Sequence, residues 1–299
     1  MVSAWDGEEK ENFDENVSLV ENMLSRYHRL YDIYHDYTES NLKTVNGNAG
    51  VSAVKVAPEI IDLLLYSKEV YRMTGGEVNV MMGAVLRLWH AARAAGDYVP
   101  TEDDLKTAAE HTSIDSLVID EAAGTVYISD PYASLDVGAV AKGYATEKIA
   151  EALEERGALG YSLNIGGNIR LIGEKSESDP SWTVGITNPD KNSAEYAAML
   201  KLSDTSLVTS GDYERTYTVG GVDYHHIIDR DTLYPSTHFS SVSIVTADSA
   251  LADALSTALF CMSEAEGCTL ISELGGVEVL WIDRDGRVTM TDGMSALLA

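Results

Sequence analysis

The sequence predicts an α+β protein with mixed and antiparallel sheets and flanking helices, and three observations carry that expectation. Apolar residues recur at steps of three and four through several segments before about residue 112. From about residue 117 the chain changes to short β-type runs divided by glycine and Asp-Pro turns. Only isolated helical patterns interrupt those runs, at about 142–157 and 249–263.

In chain order, Val17, Val20, Met23, Leu24, Tyr27, Leu30, Tyr31 and Tyr34 lie on one helical stripe, predicting an opening helix from Val17 to about Tyr37. The polar run TESN breaks it. A second helix begins at Pro58, whose fixed φ suits a first turn, and stops at Gly75–Gly76. The stretches AVLRLWHAARAAG and TEDDLKTAAEHT predict two more, the second opened by an N-capping Thr101 with acids in its first turn. LVID, TVYIS and ASLDVG then read as strands, KGYATEKIAEALEERG as a helix, and YSLNIGGNIRLIG as a strand continuing through two glycines. WTVGITNP, AAMLKLSDTSLVTSG, RTYTVGGVDYHHIID and SSVSIVTA read as further strands, with a hairpin return at Gly220–Gly221. A late helix, SALADALSTALFCMS, precedes a final hairpin around Asp285–Gly286. The expected organisation is a polar segment over 1–16, one folded domain over 17–290 and a tail over 291–299.

The length of 299 residues fits one large domain or two joined lobes. Forty-eight acids against 21 Lys plus Arg give a net charge of −27, which repels a phosphate backbone and argues against a nucleic-acid partner. Any anionic ligand must then be held locally, by backbone N–H groups, a few placed cations or a divalent metal. Cys261 and Cys268 are too few for a disulfide framework or a zinc site and are expected to be buried thiols. The acidic first sixteen residues carry no basic, apolar pattern of a signal peptide.

Four constellations could carry chemistry. Asp253 and Thr257 are four residues apart on one helix face, and both present oxygen, the donor that Mg²⁺ prefers. In isolation the pair also fits an exposed acid beside a threonine bonded to its own backbone, but the apolar residues around it disfavour an exposed face. Gly166–Gly167 do not open a helix, so they form no dinucleotide loop; they suit a bulge or a close backbone approach. Asp136 and Lys142 bracket small residues that lead into a helix. His225 and His226 end an apolar strand, where alternation sends them to opposite faces and only one can face a site.

Taken in order, TGGEVNV, LDVGAVAKGYATE, NIGGNI, WTVGITNP, TSGDYERTY, YHHIID and ADALSTALF resemble the ApbE family of FAD:protein FMN transferases over roughly residues 17–290. The resemblance implies a flavin cleft between two lobes. It also implies Mg²⁺-dependent transfer of FMN from FAD to a Thr or Ser hydroxyl of an acceptor flavoprotein, with release of AMP. An FAD pyrophosphatase and a non-catalytic FAD-binding protein are the alternatives. By the same resemblance Tyr34, Glu77, Val78, Asn79, Asp136, Lys142 and Ile227 contact FAD. The carbonyl of Ala139 joins Asp253 and Thr257 around the metal, and His226 assists catalysis. The small residues near Lys142 let that loop press against the cofactor. Three features depart from the family pattern: RDTLYP follows HIID where Pro-Arg-Thr-Gly is usual, Asn79 stands where an aspartate is common, and no lipobox cysteine is present. An extracytoplasmic, membrane-associated location follows from family analogy alone.

Overall fold

The computed structural model describes residues 1–4, 8–190 and 196–299. The first half contains β1 (Val2–Ala4), α1 (Lys10–Tyr31), α2 (Leu42–Gly47), β2 (Val54–Lys55), α3 (Pro58–Met73), α4 (Gly83–Ala95), α5 (Glu102–Ala109), β3 (Leu117–Asp120) and β4 (Thr125–Ile128). There follow α6 (Ala141–Glu155), β5 (Tyr161–Ile165), β6 (Asn168–Ile172), β7 (Trp182–Thr187), β8 (Tyr196–Leu202) and β9 (Ser206–Gly211). The chain ends with β10 (Tyr217–Val219), β11 (Val222–Tyr224), β12 (Phe239–Thr246), α7 (Ser249–Cys261), α8 (Glu264–Leu274), β13 (Glu278–Asp283), β14 (Val288–Met290) and α9 (Asp292–Ala296). These elements form two compact units: a sheet unit of residues 1–24, 142–213 and 237–299, and a helical unit of 25–141 and 214–236.

The sheet unit is built on seven strands in the order β1-β5-β6-β9-β12-β13-β14, every pair antiparallel. β12 lies between β9 and β13 and is buried along nearly its whole length, which explains why SSVSIVT reads as a continuous run with small hydroxyls where neighbours press close. The β7–β8 hairpin packs Ile186, Leu200 and Leu202 with Leu171, Leu207, Val245 and Leu280 of the sheet and Met294 of α9. α7 packs against β12 and β9. It is apolar nearly all round and buried except at Leu251 and Thr257, as a helix enclosed by its own unit must be. Ser210 of β9 shares a 2.8 Å hydrogen bond with Ser256 of α7, whose hydroxyl donates to the carbonyl of Asp253, so Ser210 braces this helix on the sheet.

The helical unit holds α2 to α5, a three-stranded sheet ordered β2-β4-β3 and the β10–β11 hairpin. Pro58 opens α3 and Thr101 caps α5 as expected, while Asn41 adds a capping box to the short α2. Met82, Val85, Trp89 and Leu105 form a core against which Tyr217, Tyr224, Ile228 and Tyr234 pack.

Several sequence expectations need correction. The opening helix runs from Lys10 to Tyr31, not from Val17 to Tyr37, and β1 lies before it. Residues 1–16 thus contribute a strand and the first turns of a helix, with residues 5–7 outside the described set. Phe13 stacks on Tyr161 and Asn16 donates to its hydroxyl, anchors too polar or too isolated to register as a stripe. YSLNIGGNIRLIG is not one strand but the β5–β6 hairpin. Ile165 pairs with Asn168, and Gly166 and Gly167 both take positive φ, 60° and 94°, as a two-residue hairpin turn requires. ASLDVG forms no strand, only a bridge at Ser134 to Met82. Residues 264–274 form α8, and the tail contains α9. Cys261 is buried as expected, but Cys268 is exposed. Among the described residues no helix is long and apolar enough to cross a membrane.

Candidate functional site

The sheet unit gathers one group of site candidates at the start of α6. Asp253 is 4% exposed, held there because α7 is buried, and both of its carboxylate oxygens are engaged. Oδ2 accepts the Gly143 N–H at 2.7 Å, and Oδ1 lies 3.2 Å from the Lys142 ammonium, which also donates to Asn168 Oδ1 at 3.1 Å. A Cβ on Gly143 would fall 2.3 Å from both Asp253 Cβ and the Ser249 carbonyl, so this glycine lets α6 and α7 approach closely. Packing therefore explains the small residue here, where the resemblance suggested a ligand. Glu147, one turn on, accepts the Ser249 N–H at 2.6 Å and lies 3.4 Å from buried Arg170; burial pushes its carboxyl above the usual range. Thr257 is half-buried one turn beyond Asp253.

Asp253 and Thr257, one turn apart on α7, both offer oxygen, the donor chemistry of a hard divalent cation, and in this structure the Asp253 carboxylate is paired with the Lys142 ammonium. Among the described residues no three His, Cys, Asp or Glu side chains come together, so these two would need further oxygens to complete a shell. Ala139, the third expected ligand, belongs to the helical unit. It lies half-buried in the turn closed by bonds from the Val140 and Ala141 N–H groups to the Val137 carbonyl.

The helical unit brings a second group together. The Asp136 N–H donates to the Val80 carbonyl at 2.8 Å and the Gly83 N–H to the Ser134 carbonyl at 3.1 Å, joining the GGEVNV and LDVG motifs side by side. Asp136 Oδ1 accepts from Gly138 N–H at 2.9 Å, and its Oδ2 lies 4.0 Å from His90 Nε2. His90 Nδ1 meets the Tyr34 hydroxyl at 3.0 Å, which makes His90 a member of this group that sequence reasoning missed. An imidazole on an otherwise ordinary helix gave no signal. Its pKa is lowered by burial, with Asp136 opposing.

Val78 and Ile227 are buried, at 2% and 5% exposure, so their side chains belong to the core. Glu77 pairs with Arg230 at 3.2 Å, and Arg230 also donates to the Gly75 carbonyl at 2.6 Å. The RDTLYP departure has a structural consequence here. Asp229 Oδ1 accepts from the N–H groups of Asp231 and Thr232, closing a turn that sets Arg230 on the Gly75–Glu77 loop. Asn79 donates to the Thr112 carbonyl at 2.8 Å and accepts from Met81 N–H at 2.9 Å; an aspartate could make only the second bond.

Tyr34 lies beyond the end of α1 and is 60% exposed. Asp32 holds its loop by accepting from the N–H groups of Tyr34 and His35, the His35 ring and the Tyr37 hydroxyl. Burial pushes the Asp32 carboxyl up, but these bonds outweigh it and bring it from 3.8 down to about 2. Because the folded value is depressed, Asp32 stabilises fully above about pH 4 and loses that contribution as pH falls toward about 2. Thermal unfolding between pH 5 and 2 should therefore show the parent more stable than Asp32→Asn at pH 5 and the two converging at pH 2. A constant gap would rule this out.

The two histidines have opposite environments, although β11 ends at Tyr224 and strand alternation does not reach them. His225 is buried. Its Nε2 is 2.9 Å from the Ser236 carbonyl, which only accepts, so Nε2 carries the proton and Nδ1 accepts the Ile227 N–H at 3.2 Å. His226 is half-buried, with Nδ1 3.2 Å from the Glu214 carbonyl. The same logic protonates Nδ1 and leaves the Nε2 lone pair as the basic site. Burial first, then Arg215, lowers the His226 pKa from 6.5 to about 4.

Comparison with known proteins accounts for this assembly of motifs. The ApbE family model matches residues 3–281. The chain belongs to the ApbE family. An FAD:protein FMN transferase of Treponema pallidum is 36% identical over 86% of this chain and 74% of its own, and one of Klebsiella pneumoniae is 26% identical over 92% and 84%. A crystal structure of an ApbE protein from Thermotoga maritima superposes with a TM-score of 0.86 at 26% identity, covering 100% of this chain and 94% of the other. ApbE membership bears out the α+β fold with its antiparallel sheets.

Proposed function

We propose that this chain is an FAD:protein FMN transferase that uses Mg²⁺ and modifies a Thr or Ser hydroxyl of an acceptor flavoprotein. The observation that carries the reading is the Lys142–Asp253 pair: a buried carboxylate beside a part-exposed ammonium, in a chain whose net charge of −27 opposes any phosphate ligand. Family membership and the names of the relatives support FAD as the substrate.

In the reaction the acceptor hydroxyl oxygen forms a bond to the FMN-side phosphorus of FAD, and the bond from that phosphorus to the bridging oxygen breaks. AMP leaves with that oxygen. His226, neutral above about pH 4, takes the hydroxyl proton at Nε2. Lys142 meets a phosphate oxygen as a charge-assisted donor, and Asp136 and Tyr34 contact the nucleotide in the helical unit. Asp253 and Thr257 would hold Mg²⁺, which would neutralise charge on the pyrophosphate.

The test mixes the protein with FAD, Mg²⁺ and a candidate acceptor, with and without a chelator. Covalent flavin on the acceptor, lost with the chelator, is the expected result. FMN and AMP released equally fast without acceptor would make the chain a pyrophosphatase, and intact FAD under all conditions a binding protein. A narrower test is Lys142→Met, which keeps the packing of the stem and removes the cation. FAD should bind about tenfold more weakly or worse, the usual scale for a lost hydrogen bond from a charged group, and the fold should persist. Unchanged affinity in an FAD titration would leave Lys142 as a partner of Asp253 only.

A further inference from the structure

The NIGGN motif places a residue at the Lys142–Asp253 pair that the reading above does not use. The two-residue glycine turn, with the Asn164 side chain accepting the Gly167 N–H at 3.2 Å, makes Asn168 the first residue of β6. Asn168 is 1% exposed. An ammonium only donates, so the side-chain carbonyl of Asn168 must be the end that faces Lys142, at 3.1 Å. The opposite orientation would set N–H against N–H. This leaves the amide Nδ2 buried without a hydrogen-bond partner. An orphaned buried donor is destabilising, and an apolar side chain of the same size would avoid it. The residue is poorly suited to stability and well suited to one task.

From this geometry we infer that Asn168 is a positioning residue: its carbonyl fixes the Lys142 ammonium beside Asp253, from where Lys142 meets FAD. The inference rests on the reading of Lys142 as an FAD contact. Asp253 Oδ1 alone leaves the ammonium, whose side chain is 41% exposed, free to swing about one acceptor; Asn168 supplies the second point that defines its place. The hairpin turn is what delivers that point, since a Cβ on Gly166 would already lie 3.7 Å from the Lys142 stem.

The experiment measures thermal unfolding and FAD affinity, by flavin fluorescence with a chelator present to prevent turnover, for four proteins: the parent, Asn168→Leu, Lys142→Met and the double variant. Asn168→Leu should unfold at the parent's temperature or above it, yet bind FAD about fivefold or more weakly. The double variant should bind no more weakly than Lys142→Met alone, because Asn168 acts only through Lys142. Additive losses, or an affinity loss accompanied by a lower unfolding temperature, would overturn the positioning role. Parent-like affinity of Asn168→Leu beside a weakened Lys142→Met would overturn it while keeping the Lys142 reading. Parent-like affinity of both would remove that reading and the inference together. If Asn168→Leu fails to fold, Asn168→Ala carries the affinity comparison.

Discussion

Asp253→Asn is expected to lower the rate of FMN transfer by about a hundredfold or more while the protein remains folded. Asparagine keeps the volume and one acceptor for the Gly143 N–H or Lys142, but it removes the only carboxylate of the proposed metal set. Metal neutralisation of a transferring phosphoryl group is worth several kcal/mol, and each ~1.4 kcal/mol is tenfold in rate. Asp253→Ala should lose as much activity and also stability, about 1–3 kcal/mol, because it leaves the buried Gly143 N–H without its acceptor. Circular dichroism separates the two effects, and Mn²⁺ binding followed by electron paramagnetic resonance reports the site without turnover. Turnover of Asp253→Asn within about twofold of the parent at saturating Mg²⁺ would sink the metal assignment.

The second large effect is expected at His226 and not at its neighbour. His226→Ala should keep FAD affinity and lose about 10²–10⁴-fold in transfer rate, the usual range for a positioned acid–base group. The neutral imidazole is the active form, so parent activity should stay level from neutral pH to about 5 and fall as pH approaches about 4, not near 6.5. His225→Ala should behave differently. It removes a buried ring bonded at both nitrogens, so it should destabilise by about 1–3 kcal/mol with little change in the rate of the folded fraction. Equal rate losses would point to collapse of the shared loop. A larger loss at His225 would mean that the roles are reversed.

Much of this molecule is legible without coordinates. Pro58, Thr101 and the Gly220–Gly221 and Asp285–Gly286 pairs mark element ends because their effects on φ and on capping are local. The order of the motifs is enough to indicate the family. What the pattern misplaced was equally physical. The apolar stripe continues past Tyr31 to Tyr34, yet the Asp32 carboxylate captures the next N–H groups and ends the helix. The NIGGN run reads as one strand, since hydropathy does not distinguish an extended glycine from one with positive φ.

The sequence by itself determined the α+β class, the approximate bounds of α3 to α7 and the seven ordered motifs, because each depends on neighbours within a few residues. Only the tertiary structure decided which side chains meet. Lys142 and Asp253 are 111 positions apart, and their pairing depends on a glycine small enough for two helices to touch. The distinction between His225 and His226 was expected from strand alternation, but it comes from the Ser236 and Glu214 carbonyls, ten or more positions away, which fix each ring's proton. Asn168 was one more polar residue in a β-type run until burial and a lysine from another element gave its carbonyl a direction. Burial, tautomer and long-range acceptors are set by packing, and no local pattern of residues encodes them.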